Sequence, residues 1–202
     1  MNLKLNIFIL LFLVHSVRIF SENCELKYDP FKTKVKWMAF KFTERTGVEG
    51  TFDKIAVTQG SKSVTIQDLA ESIKFKIDIN SINSNNIDRD TKIKNIFFLS
   101  MVDTKEITGE FRNIKINNEL GKAELYLKMN NKENSTPVAF ILKNGKELEL
   151  KGKIDLLQWN AAKSVEALNK ECEMLLKGKD EKSKLWNDVE VYMTTELIKI
   201  CR

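Results

Sequence analysis

The feature that most constrains this chain is an apolar alternation of period two, which recurs from residue 33 to the end and gives way in only three stretches. Alternation of this kind sends successive side chains to opposite faces of an extended strand, so its apolar members share one buried face. Val35, Trp37 and Ala39 alternate with Lys34, Lys36 and Met38, and Val48, Gly50 and Phe52 with Glu49, Thr51 and Asp53. Ile73, Phe75, Ile77 and Ile79 stand against Lys74, Lys76, Asp78 and Asn80. Ile107, Gly109 and Phe111 are followed by Ile114 and Ile116, and the change of parity at Arg112 and Asn113 predicts a bulge. Ala123 to Met129, Val138 to Leu142, Leu148 to Ile154 and Val189 to Thr195 alternate in the same way and complete eight predicted strands. Asn117-Asn118 predicts one hairpin turn and Asn144-Gly145 a two-residue one.

The three exceptions are helical. Ile66 to Ala70 reads as one turn, and Asp88 to Phe97 places Ile93, Ile96 and Phe97 at helical spacing with Asp88 as the cap. Trp159, Ala162, Val165, Leu168, Cys172 and Leu175 recur every three or four residues over 159–177, ended by Gly178. Eight antiparallel strands avoid raw edges as a sandwich or a closed barrel. The expected architecture is all-β: an eight-stranded antiparallel β-barrel with a short helix after the third strand and a longer amphipathic helix before the last. A barrel of that size has a lumen that side chains fill or that holds one slender ligand. The inward parity gathers Trp37, Phe52, Phe75, Ile77, Ile79, Phe111, Leu125, Leu127, Phe140 and Leu150, so any occupant has to be apolar.

Lys4, the apolar run Ile7 to Val14 and the stretch ending at Ser21 predict a secretory signal peptide over residues 1–21, ahead of one domain over 22–202. The run is far shorter than the roughly 20 residues needed to span the hydrocarbon core. Export to an oxidising compartment allows Cys24, Cys172 and Cys201 to form one disulfide, with the pairing open and one thiol left over. A bridge from Cys24 to either partner closes a loop of about 150–180 residues, worth about 4–5 kcal/mol on the chain-entropy model. Unpaired buried cysteines are the plainer alternative.

Composition removes whole classes of function. At 202 residues, 43% hydrophobic and 30% charged, the chain is ordinary for a globular domain. Its net charge of +5 is scattered, without the basic stripe on which nucleic-acid readers depend, so no nucleic-acid partner is expected. The single histidine, His15, lies in the leader, which excludes imidazole triads and the common zinc sites from the remainder. No glycine-rich phosphate loop occurs. Carboxylates remain, but Asp78 and Asp155 sit on or beside solvent-facing parities, so no enzyme, no metal and no cofactor are expected. Asn134-Ser135-Thr136 matches a glycosylation sequon, which has meaning only in a eukaryotic secretory pathway.

Several stretches resemble one family. Trp37-Met38-Ala39-Phe40-Lys41 followed by Gly47-Val48-Glu49-Gly50-Thr51-Phe52-Asp53 is similar to the V-x-G-x-F strand pair near the start of YceI-like proteins, exported and polyisoprenoid-binding. Phe75-Lys76-Ile77-Asp78-Ile79-Asn80-Ser81-Ile82-Asn83, then Asp88-Arg89-Asp90, then Phe97-Phe98, resembles that family's strand ending in S-I-x-T, its RD-initiated helix and its aromatic pair. Val189-Glu190-Val191 resembles its closing strand, while Asp155 to Lys184 departs from the family's shorter connection. The resemblance implies a lipocalin-like barrel in the periplasm whose tunnel holds an isoprenoid-tailed lipid, a quinone or a polyprenyl carrier, with peripheral membrane contact and a homodimer as further expectations. It adds Phe98 to the tunnel lining and makes Arg89 a candidate for head-group contact, set against a local role in fixing its helix. The alternative function is a secreted interaction module, a filled barrel that docks a partner through its added helix.

Overall fold

Two antiparallel sheets organise residues 24–201, the part of the chain that the computed structural model describes; the leader reading on residues 1–21 lies outside it. The strands are β1 (Cys24–Lys27), β2 (Lys34–Lys41), β3 (Thr46–Phe52), β4 (Ile55–Gln59), β5 (Lys62–Ser63), β6 (Lys74–Asp78), β7 (Ile82–Asn83), β8 (Glu106–Asn117), β9 (Leu120–Met129), β10 (Lys132–Lys143), β11 (Glu147–Asp155), β12 (Leu185–Glu196) and β13 (Ile198–Cys201). Three α-helices interrupt them: α1 (Ile66–Ser72), α2 (Ile87–Lys92) and α3 (Ala162–Glu171).

The large sheet has the order β4-β6-β8-β9-β10-β11-β12-β2-β3-β7 and curls strongly. Its two ends are covalently continuous with each other. β3 runs into β4 through Asp53 and Lys54, and β6 runs into β7 through a single 3₁₀ turn, Ile79–Ser81. Between these bent segments Asp53 N–H donates to the Ser81 carbonyl at 2.9 Å and Asp78 N–H to the Lys54 carbonyl at 3.1 Å. Every predicted strand has its counterpart here, but ten strands form this sheet, not eight: β4 and β7, which follow the bends near Asp53 and Ile79, lie outside the predicted segments. The bulge lies where the parity changes: Arg112 pairs with Glu124 and Lys115 with Lys122, and Asn113 takes a positive φ of 55°. The Asn144-Gly145 turn is longer than predicted, because Lys143 pairs with Glu147 and three residues intervene.

The second sheet, β13-β1-β5, was not legible as strands. It lies at the end of the molecule that carries the β10–β11 turn, where Leu197 N–H donates to the Lys146 carbonyl at 2.8 Å. The outer pair is stapled by the Cys24–Cys201 disulfide, a sequence separation of 177, and Cys172 is the free thiol. This end is completed by α1, which packs on β8 and β1.

At the opposite end, beyond the β9–β10 turn, α3 packs on the segment that follows α2. There the prediction needs three corrections. Asn86, not Asp88, caps α2, its side chain accepting from Arg89 N–H at 2.9 Å. The continuation over Ile93–Phe98 is a π-helical turn, with Leu99 N–H donating to the Lys94 carbonyl at 3.1 Å. Widening the turn carries Phe97 and Phe98 together into the core, where an ordinary helix would have presented Ile96 and Phe97. The longer helix is also shorter than 159–177: Leu156–Trp159 is a 3₁₀ turn, Asn160 is left-handed at φ 57°, and α3 ends at Glu171. It precedes β12, while β13 is the last strand.

Candidate functional site

The inner faces of the large sheet enclose an apolar cavity of about 270 Å³. Its wall is built by the period-two parity itself: Val35, Trp37 and Ala39 from β2, Phe75 and Ile77 from β6, Leu125 and Leu127 from β9, and Val189, Val191 and Met193 from β12. Ten of the eleven predicted inward residues, Trp37, Phe52, Phe75, Ile77, Phe98, Phe111, Leu125, Leu127, Phe140 and Leu150, stand on that wall. The eleventh, Ile79, is buried in the 3₁₀ turn that joins β6 to β7 and packs in the core without reaching the cavity. The turn is what removes it, since a residue after the last strand position no longer obeys the strand parity.

The rings are arranged to leave space between them. Trp37 faces Gly50 across the β2–β3 ladder, Phe75 faces Gly109 across β6–β8, and Phe140 faces Gly121 across β9–β10. A Cβ on any of these glycines would lie 2.0–2.4 Å from the opposing ring, so each ring lies down over the glycine instead of crossing the lumen. Phe52 and Phe98 meet edge to face at 6.4 Å, and Phe97 and Phe98 at 5.0 Å, which seals the wall to the π-helical turn.

The cavity is dry chemistry. Trp37 Nε1 donates back into the wall, to the Thr51 carbonyl at 3.2 Å. Trp186 Nε1 donates to the Phe42 carbonyl at 2.8 Å. Trp159, wholly buried beneath the helical end, gives its Nε1 proton to the Leu127 carbonyl at 2.9 Å. With the indole donors satisfied by backbone, the surfaces turned inward are hydrocarbon. Lys36 and Tyr192 touch the cavity from opposite each other on the outward parity, and their polar ends are engaged outside, Lys36 with Glu49 and Tyr192 with Glu190. The inward hydroxyls are those of Thr33 and Thr195, 2.6 Å apart at the end beneath the small sheet.

Arg89 does not reach the cavity wall. Its Nε donates to Ser84 Oγ and its Nη2 to the Ser84 carbonyl, both at 2.7 Å, while the buried Asp90 carboxylate accepts from Ser84 N–H and Oγ. The Asp88-Arg89-Asp90 motif thus ties the start of α2 to the chain leaving β7. Asp78 and Asp155 each cap a 3₁₀ turn, accepting from the backbone N–H groups of Asn80 and Leu157. Asn134 lies in β10 and gives its side-chain amide to the Gln158 carbonyl at 3.3 Å. Among the described residues no cluster of three or more histidine, cysteine or carboxylate side chains is placed to hold a metal ion.

Two displaced proton affinities lie away from the cavity. The Arg45 guanidinium, backed by Lys153, holds the Asp188 carboxyl below the usual carboxylate range on the outer face. Burial pushes the Cys172 thiol up, and that keeps it protonated and a poor nucleophile.

Sequence reasoning missed part of the wall. Ile66, Leu69 and Ala70 of α1 close one end, and Ile93, Val165 and Leu168 close the other. Their helical spacing was visible; what was not visible was that these apolar faces turn onto the lumen.

Residues 26–197 match the family model described as the YceI-like domain. No curated protein matches the chain. Solved structures share the fold at low identity. A polyisoprenoid-binding domain from Saccharophagus degradans, implicated in plant cell wall breakdown, is 12% identical with a TM-score of 0.58, covering 90% of this chain and 100% of that one. BcnA from Burkholderia cenocepacia is 14% identical at 0.55, covering 86% and 99%. The YCEI protein of Campylobacter jejuni is 18% identical at 0.51, covering 80% and 89%.

Proposed function

The chain belongs to the YceI-like family, and on that premise we propose that it is a periplasmic carrier that shields the isoprenoid tail of a lipid, a quinone or a polyprenyl compound, without making or breaking a bond. One observation carries the reading: the inward parity encloses a void of about 270 Å³ instead of closing upon itself. Transfer of each methylene from water is worth about 0.8 kcal/mol, so a few isoprene units offset the ~4–15 kcal/mol cost of association. The bound molecule is a lipid, so the carrier collects and surrenders it by peripheral contact with a bilayer. The name of the Saccharophagus domain, polyisoprenoid-binding, points to the same class of guest.

An interaction module built on a filled barrel fits less well. It calls for a solid interior and an apolar helix face turned outward, whereas Val165 is buried and Leu168 lines the void, and of the predicted helix face only the small Ala162 and Leu175, next to Met174, stand exposed. Organic extraction of freshly purified protein followed by mass spectrometry tests the carrier reading. The expected extract contains a stoichiometric isoprenoid-tailed lipid. An empty extract, with no displaceable binding of an apolar fluorescent probe, would overturn it.

A further inference from the structure

The wall of the cavity is hydrocarbon except at one place, and that place has a definite hydrogen-bonding polarity. Thr33 directly precedes β2 and Thr195 lies near the end of β12, both on the inward parity of their strands. Thr195 is only 7% exposed, and its hydroxyl lies 2.6 Å from that of Thr33. Thr33 Oγ1 donates its proton to the Asp29 carbonyl at 3.0 Å. A hydroxyl has one proton and two acceptor lone pairs. The proton between the two threonines therefore comes from Thr195, which leaves both protons committed and lone pairs free on Thr195. This threonine pair can accept a hydrogen bond and cannot donate one. It also lacks a cation: Lys32 and Lys146, which lie nearby, are both drawn to the Glu196 carboxylate on the outward parity.

We infer that the Thr33–Thr195 pair is the polar subsite of the cavity and selects a neutral ligand whose end carries an O–H donor, a free long-chain alcohol or a phenol, over the corresponding ether or ketone. This deepens the carrier reading and rests on it. A site built to pair with one proton discriminates by leaving buried polar groups unmatched when the wrong ligand enters. The carbonyl form of a quinone presents only acceptors to an accepting site, whereas its reduced, phenolic form presents the proton the site lacks.

The test is competitive displacement of an apolar fluorescent probe from delipidated full-length protein by geranylgeraniol and by its methyl ether. The expected result is about five- to tenfold tighter binding of the alcohol, the worth of one hydrogen bond. Thr195→Val removes the acceptor and brings the alcohol down to the level of the ether. Thr33→Val frees the Thr195 proton, so the ether gains and the preference narrows from the other side. Tyr28→Phe, which removes a different hydroxyl among the residues on that wall, leaves the preference intact. Equal affinity for both compounds in the unaltered protein, or a preference that Thr195→Val does not move or that Tyr28→Phe abolishes, overturns the inference while leaving the carrier standing. Displacement by neither compound overturns the carrier and the subsite together.

Discussion

Phe140 faces Gly121 across the β9–β10 ladder, and its ring fills the space in which any side chain on Gly121 would stand. The glycine costs strand propensity and leaves backbone uncovered, and the ring repairs both by lying over it. Gly121→Ala would set a methyl group 2.0 Å from the ring, so the ring must swing into the lumen. We expect a loss of about 1–3 kcal/mol in urea unfolding, typical of an overpacked core, together with weaker binding of an apolar probe. A variant as stable and as capacious as the parent would show that the ring is not pinned there.

The Cys24–Cys201 bridge spans 177 residues and ties together the strands of the small sheet. On the chain-entropy model a loop of this length contributes about 4–5 kcal/mol. The double replacement Cys24→Ser with Cys201→Ser should therefore lower the urea midpoint substantially, and dithiothreitol should reproduce the shift in the parent. Cys172, whose thiol burial holds in the protonated form, should react slowly with iodoacetamide at neutral pH.

Asp188 accepts both arms of the Arg45 guanidinium and the ammonium of Lys153. The contact depresses its carboxyl pKa, so the folded chain binds a proton there less readily than the unfolded chain, whose aspartates titrate near about 3.9. The resulting stability is fully present above that unfolded value and is lost as pH falls through the lower, folded one. Asp188→Asn should lower the urea midpoint at neutral pH and flatten the acid limb of the stability profile below about pH 4. An unchanged acid limb would place the dependence elsewhere.

How far the sequence carried depended on whether a signal was local. Period two is local, so the main strands and nine wall residues could be read directly, as could the bulge beside Arg112, where the parity slips. The short strands β5, β7 and β13 have too few residues to show a period, and β4 is paired only because the chain bends at Asp53 and lets Ile55 meet Ile77. The pairing of Cys24 with Cys201 depended on β1 meeting β13, which is a property of topology. Ile79 shows the reverse failure. Its parity was right, but the strand ended one residue before it. Thr33 and Thr195 were visible as polar residues, yet their meaning lies in which hydroxyl proton is already spent, and only coordinates reveal that.

A void and a packed scaffold respond differently to an added ring. Ala39 lines the cavity on β2, opposite Val48 on one side and Val189 on the other, and its small side chain leaves space toward the lumen. In a solid core, Ala39→Phe would force neighbours apart at a cost of about 1–3 kcal/mol. In a hollow one the phenyl group enters empty space and occupies the volume a tail would use. The carrier reading therefore predicts a variant with an unchanged or raised melting temperature and at least tenfold weaker displacement of an apolar probe by geranylgeraniol. Strong destabilisation with binding unaffected would mean that the void is not where the ligand sits.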